Sequence, residues 1–211
     1  MSDHALQRAA FVLIAAVMLL LPGCKPTTEI GDTIVNATDP ASEAVTLTSQ
    51  GWSAFEARRY PDAVSLFRQA ASRNDRYSDA YNGIGWSYAR MDSLHASLRA
   101  FDIALALEPE FNDAYAGRSF VSLALGEYAD AVAAVWAVEG SGAKFYAFRH
   151  DARITLDDLL LVKARSYFLL RNYQAAQTVI DRLDPENRLD PSSPTYVEDL
   201  ALVIESLASR V

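Results

Sequence analysis

The stretch from Ser78 to Phe111, SDAYNGIGWSYARMDSLHASLRAFDIALALEPEF, decides the fold. It is 34 residues long, and its landmarks recur at that spacing on either side. Gly85-Trp86 is preceded by Gly51-Trp52, Phe101 by Phe67, and Ala104 by Ala70. Ser97 stands between Ala63 and Ala131, and Leu94 between Tyr60 and Tyr128. All these series share one phase. A fixed period of this length marks stacked helical units, none of which can bury its apolar face alone.

Within the quoted stretch, Tyr81, Ile84, Gly85 and Tyr88 are followed by Ser97, Phe101, Ala104 and Pro109. The arrangement resembles the tetratricopeptide repeat, W-x2-L-G-x2-Y followed by A, F, A and P. Tyr81 stands for the Trp and Ser97 for the first Ala. The copy before it, 44–77, keeps Gly51, Ala63, Phe67 and Ala70, with Leu47 for Trp and Asp75 for the closing Pro. The copy after it, 112–145, has Tyr115, Ser119, Gly126, Tyr128 and Ala131. A fourth, 157–190, has Leu160, Ala164, Tyr167, Tyr173, Ala176 and Ile180. The resemblance implies an all-α fold, a TPR-like α-α superhelix built as a right-handed solenoid of helix pairs.

The residue types suit such a stack. Gly51, Gly85, Ser119 and Ala164 let the first helix of each pair approach the second, where Ala63, Ser97, Ala131 and Ala176 face it. Phe67, Phe101, Val135 and Ile180 then fill the gap between neighbouring pairs. End signals place the helices near 44–57 and 61–73, 78–91 and 94–107, 112–125 and 128–138, and 156–170 and 173–183. A capping helix near 194–209, within 191–211, ends the solenoid, with Val197, Leu200, Ala201, Ile204 and Leu207 as its apolar stripe.

Tyr128 and Tyr173 hold matching positions but lie 45 residues apart, so eleven residues are inserted within 139–156. The segment opens Gly140-Ser141-Gly142 and runs through Phe145, Tyr146, Phe148 and His150. This aromatic density argues against disorder. The insert either plugs the solenoid where the regular stack is interrupted or shapes one end of a binding groove. Thr155 with Asp158 reads as a capping box that starts the next helix.

Along the first helix of each pair, residues three and four apart share a face. These faces carry Trp52, then Asn82, Trp86 and Arg90, then Phe120. In tetratricopeptide proteins this face lines the concave surface, so the three aromatics would form a ladder with one rung per repeat. Rigid aromatic surface of this kind makes binding hot spots. Asp79, Asp113 and Asp158 lie along one rim, where they would favour a basic partner; acidic residues at helix starts also simply complement the macrodipole. The carboxylate clamp of some tetratricopeptide domains is not matched, because Thr48, Trp52 and Trp86 replace its lysine and asparagines.

The first residues carry an address. Ala9 to Leu21 is thirteen residues without a polar side chain. As a helix it reaches about 20 Å, against a bilayer core of about 30 Å, which suits the apolar centre of a signal peptide. Leu21-Pro22-Gly23-Cys24 closes it and resembles the lipobox of bacterial lipoproteins. The resemblance implies a signal peptide over 1–23, lipid on Cys24, and a tether through 24–43. It further implies attachment at the bacterial cell envelope. Lys25 rather than aspartate after the cysteine goes, in that family, with the periplasmic face of the outer membrane.

The whole chain has 211 residues, 51% of them hydrophobic, which is ample for a folded core. Its formal net charge of −8 argues against a nucleic-acid partner. One cysteine excludes an internal disulfide and a cysteine-based zinc site. No nucleophile elbow, phosphate loop or H-E-x-x-H occurs. No cofactor, metal or catalytic residue is expected. The reading is a non-enzymatic scaffold or adaptor that binds a protein or peptide partner at the envelope. The alternative is a glycan-binding module that stacks peptidoglycan sugars on the ladder.

Overall fold

A computed structural model describes residues 39–142 and 145–209 of the chain. The signal-peptide and lipidation readings, Cys24 included, lie outside the described residues. Among the described residues are nine α-helices and one two-stranded sheet. The first three pairs are α1 (Pro40–Glu56) with α2 (Tyr60–Arg73), α3 (Ser78–Arg90) with α4 (Leu94–Leu107), and α5 (Asn112–Leu125) with α6 (Tyr128–Gly140). Strands β1 (Ala147–Phe148) and β2 (Asp151–Thr155) follow. The last pair is α7 (Leu156–Leu169) with α8 (Tyr173–Leu183), closed by α9 (Tyr196–Ala208).

Each helix packs on its sequence neighbours, and each first helix also packs on the first helix of the next pair. The glycine–phenylalanine periodicity explains how they come so close. A Cβ added at Gly51 would lie 2.6 Å from the Phe67 ring, and one at Gly83 would lie 2.3 Å from it. One period later, Gly85 and Gly117 hold Phe101 in the same way, at 2.6 and 2.2 Å. Each ring is thus clasped between the first helices of two successive pairs. Ser97, in the place of the facing alanine, donates a 2.7 Å hydrogen bond to the Gly85 carbonyl.

The turn inside each pair also repeats. Arg58, Asp92, Gly126 and Arg171 all adopt left-handed backbone, with φ of 60, 56, 81 and 60°. Only Gly126 does so without steric cost.

Two helix starts differ from the sequence reading by two residues or more. The tether is expected to run to residue 43, but α1 already begins at Pro40. Proline suits a first turn, where its missing N–H needs no partner, and Ala44 is fully buried. The capping helix begins at Tyr196 rather than at 194, because 191–195 form turns in which Thr195 Oγ1 donates to Asp199. Its Leu200 and Ile204 are buried against α7 and α8.

Glu139 ties the last pair to the rest. It accepts from Lys163 on α7 and Arg182 on α8, each at 2.6 Å.

Candidate functional site

Helices α1, α3 and α5 carry Trp52, Trp86 and Phe120 at equivalent positions one period apart. Their common face is filled by the chain itself. Strands β1 and β2 pair antiparallel through Ala147 with Thr155 and Phe148 with Asp151, and Arg149-His150 makes the turn. The register slips between the two pairs, so β2 is the longer strand. The hairpin folds back over the helices. Tyr146, Phe148 and His150 point inward, whereas Ala147 and Arg149 are exposed.

The Phe148 ring is fully buried. It stacks on Trp86 with centroids 4.3 Å apart and planes at 17°. It meets Trp52 edge-on at 5.8 Å. His150 lies flat on the other tryptophan, Trp52, at 3.8 Å and 3°. Contacts of these kinds contribute about 0.5–1.5 kcal/mol beyond area burial.

Trp52 and Trp86 are therefore only 4% and 3% exposed. The expected open aromatic groove is corrected at these two rungs: the insert covers them. Phe120 stays half-buried. Of the insert residues, Tyr146, Phe148 and His150 enter the groove, but Phe145 is 93% exposed.

Polar contacts hold the hairpin in place. Tyr146 Oη donates to Asp113 Oδ1 at 3.0 Å. Burial pushes the Asp113 carboxyl above the usual carboxylate range, against the lowering effect of the Tyr146 hydrogen bond and of Arg149. Burial and the neighbouring Asp113 carboxylate push the Tyr146 phenol up in turn. Both indole N–H groups are used: Trp52 Nε1 donates to Asp79 Oδ2 and Trp86 Nε1 to the Asp113 carbonyl, each at 3.1 Å.

His150 Nδ1 lies 2.9 Å from Glu56 Oε1, and its Nε2 is buried without a protein partner. The adjacent Asp151 turns away from that imidazole. It accepts from Arg90 Nη2 at 2.8 Å and from Arg153 Nε and Nη2 at 2.8 Å each. The Arg153 hydrogen bonds, helped by the Arg90 and Arg153 charges, hold its carboxyl below the usual range despite its burial.

The acidic rim is spent internally. Asp79 and Asp113 accept the bonds just described. Asp158 Oδ2 accepts from Thr155 N and Oγ1, each at 2.7 Å, and so starts α7. Asn82 is also internal: it is fully buried, its Nδ2 reaches Asp79 at 3.4 Å, and its Oδ1 has no protein partner.

What stays accessible lies beside the hairpin. Between β2 and helices α3 to α5 opens a cleft of about 400 Å³. Trp86, Phe120, Leu94 and Ile154 give it an apolar floor, with Arg90, Arg153 and Asp151 at its edge. It brings together three residues of the expected groove: Trp86, Arg90 and Phe120. Trp52 instead borders a smaller, polar depression of about 260 Å³ with Asp79, Arg149 and His150.

Sequence reasoning missed Arg153, Asp151 and Ile154 as site residues. One signal was present: the inward–outward alternation of Tyr146-Ala147-Phe148-Arg149-His150, which has the period of a strand. Nothing local says where that strand docks.

Residues 48–94 match the tetratricopeptide repeat family model. No curated protein matches the chain in sequence. Among solved structures, the chain is similar to MamA at 17% identity and TM-score 0.56, covering 81% of this chain and 83% of that one. It is also similar to PilW, described as a widely conserved type IV pilus biogenesis factor. There the identity is 19% and the TM-score 0.56, over 77% of this chain and 67% of that one. A MamA double mutant gives TM-score 0.59 at 14% identity, over 80% and 96%. The fold is the all-α tetratricopeptide solenoid, with a hairpin set into its concave side.

Proposed function

We propose that the protein is a non-enzymatic interaction scaffold that holds a segment of a partner protein in the cleft beside β2. One observation carries this reading. An accessible cavity of about 400 Å³ with an aromatic and aliphatic floor persists although the hairpin covers Trp52 and Trp86 on the same face. Cavities of this size with a few placed polar groups are the usual form of binding sites. The half-buried Phe120 supplies its anchor surface.

The lipobox-like Leu21 to Cys24 supports attachment through lipid on Cys24, at the bacterial cell envelope on the periplasmic face of the outer membrane. Two or three acyl chains would make that anchoring stable. The glycan reading is weaker than the sequence suggested, because sugar stacking needs free ring faces and those of Trp52 and Trp86 are engaged by His150 and Phe148. His150 is held by stacking and by Glu56, which suits a positioning role in the hairpin.

Ala124 lines the cleft and is exposed, so a larger side chain there fills the cavity without entering the core. Ala124→Phe should keep the melting temperature and lower partner capture from the protein's own membranes at least tenfold. In the same preparation, Cys24→Ser should lose lipid labelling and membrane retention. Capture unchanged by Ala124→Phe would overturn the cleft assignment. Unchanged membrane retention of Cys24→Ser would overturn the anchoring.

A further inference from the structure

The bridge Arg90–Asp151–Arg153 divides two depressions, because all three side chains line both the 400 Å³ cleft and a second one of about 190 Å³. The second runs on toward Tyr60 and Arg58. With the bridge between them they make an interrupted channel along β2, passing from the first repeat to the third.

The exposure of charge around the larger cleft is lopsided. The Asp151 side chain is 12% exposed, against 37% for Arg90 and 74% for Arg153. Asp158, at the far wall, is buried and committed to Thr155. Glu56, at the near end, is 53% exposed and engaged by His150. The two carboxylates of the larger cleft, Asp151 and Asp158, thus face inward, while its two guanidinium groups face outward. Arg90 gives Asp151 one hydrogen bond and Arg153 gives it two. A guanidinium has five N–H donors, so both arginines keep donors for another acceptor. This is an outward-facing cationic pair on a chain whose formal net charge is −8.

We infer that the channel takes an acidic protein segment in which a carboxylate stands beside a large apolar side chain. The apolar group enters the cleft over Trp86 and Phe120, and the carboxylate crosses the bridge between Arg90 and Arg153. The inference rests on the cleft reading of the proposed function and adds the partner's chemistry. Arginine matches carboxylate geometry through paired N–H donors, which a lysine cannot reproduce. The bridge itself stays intact, since the incoming carboxylate meets donors that Asp151 leaves free.

Panning the full-length protein against a display library of random twelve-residue segments tests this. The selected pool should be rich in Asp or Glu next to Leu, Ile, Phe or Trp. A segment from that pool should bind Arg153→Gln at least tenfold more weakly, with Arg153→Lys in between. The mostly exposed Arg153 can be changed without disturbing the fold, which an unchanged melting temperature would verify. A pool without acidic excess, or acidic segments that bind Arg153→Gln as tightly as the wild type, would overturn the inference. If such a pool is still lost in Ala124→Phe, the cleft reading stands and only the acidic partner falls. Enrichment that Ala124→Phe leaves untouched, or no enrichment at all, overturns both.

Discussion

Phe148→Ala should lower stability by about 3–5 kcal/mol, the usual cost of deleting a fully buried aromatic ring. The ring is fully buried and lies between Trp86 and Trp52, so its loss leaves a hole bounded by two rigid indoles. Those indoles sit on α1 and α3 and cannot collapse without moving a helix pair. The hairpin's remaining ties are the His150 ring on Trp52, the Tyr146 bond to Asp113 and the Asp151 bond to Arg90. They are not expected to hold it down alone. Quenching of tryptophan fluorescence by a small solute should therefore change as well. In the wild type, Trp136 is the open indole, at 58% exposure, while Trp52 and Trp86 are covered. In Phe148→Ala the covered two should become quenchable. An unchanged unfolding midpoint with unchanged quenching would mean that the hairpin does not occupy the groove.

Gly117→Ala should destabilise the protein by about 1–3 kcal/mol through overpacking, a fall in melting temperature of a few to about 10 °C. In an exposed helix interior the same change stabilises by up to about 1 kcal/mol, so even the sign is informative. At Gly117 the added carbon would lie 2.2 Å from the Phe101 ring, with Gly85 closing on that ring from its other side. Gly140→Ala is the contrast, as an added Cβ there meets nothing within 4 Å. Gly140→Ala should be neutral or stabilising. Equal effects from the two substitutions would contradict the clasp between successive pairs.

The contrast between these residues explains what the sequence could and could not tell. Phe67 with Gly51 and Gly83, and Phe101 with Gly85 and Gly117, interact within one period. The repeat spacing therefore carried the contact itself. The same phase located the helix starts at Ser78, Leu94, Asn112 and Tyr128. The start of α1 at Pro40 is hidden in the sequence, because the preceding polar residues mask a proline that begins a helix. Phe148 reaches Trp86 over a separation unrelated to the repeat, and no periodic signal encodes that. The alternation over 146–150 has the period of a strand, but it carries no information on where that strand docks.

The same hidden contact changed the meaning of the site residues. A helix face alone says nothing about a distant segment that covers it, so the sequence presents Trp52 and Trp86 as exposed rungs. Asp79 and Asp113 look like a rim for a partner, but they accept bonds from the indole of Trp52 and the phenol of Tyr146. The helix face gives Arg90 a place on the groove but no reason for its charge. Asp151, delivered by the hairpin, supplies that reason.

The protein's own hairpin covers Trp52 and Trp86, leaving binding to the cleft beside it. The three indole N–H signals test this most directly, through their hydrogen exchange in the wild-type protein by NMR. Trp52 and Trp86 donate to Asp79 and Asp113 beneath the hairpin, whereas Trp136 stands 58% exposed on α6. One fast-exchanging indole is expected, that of Trp136, and two that are protected well beyond it. If all three exchange at the Trp136 rate, the groove is open and the hairpin does not cover it.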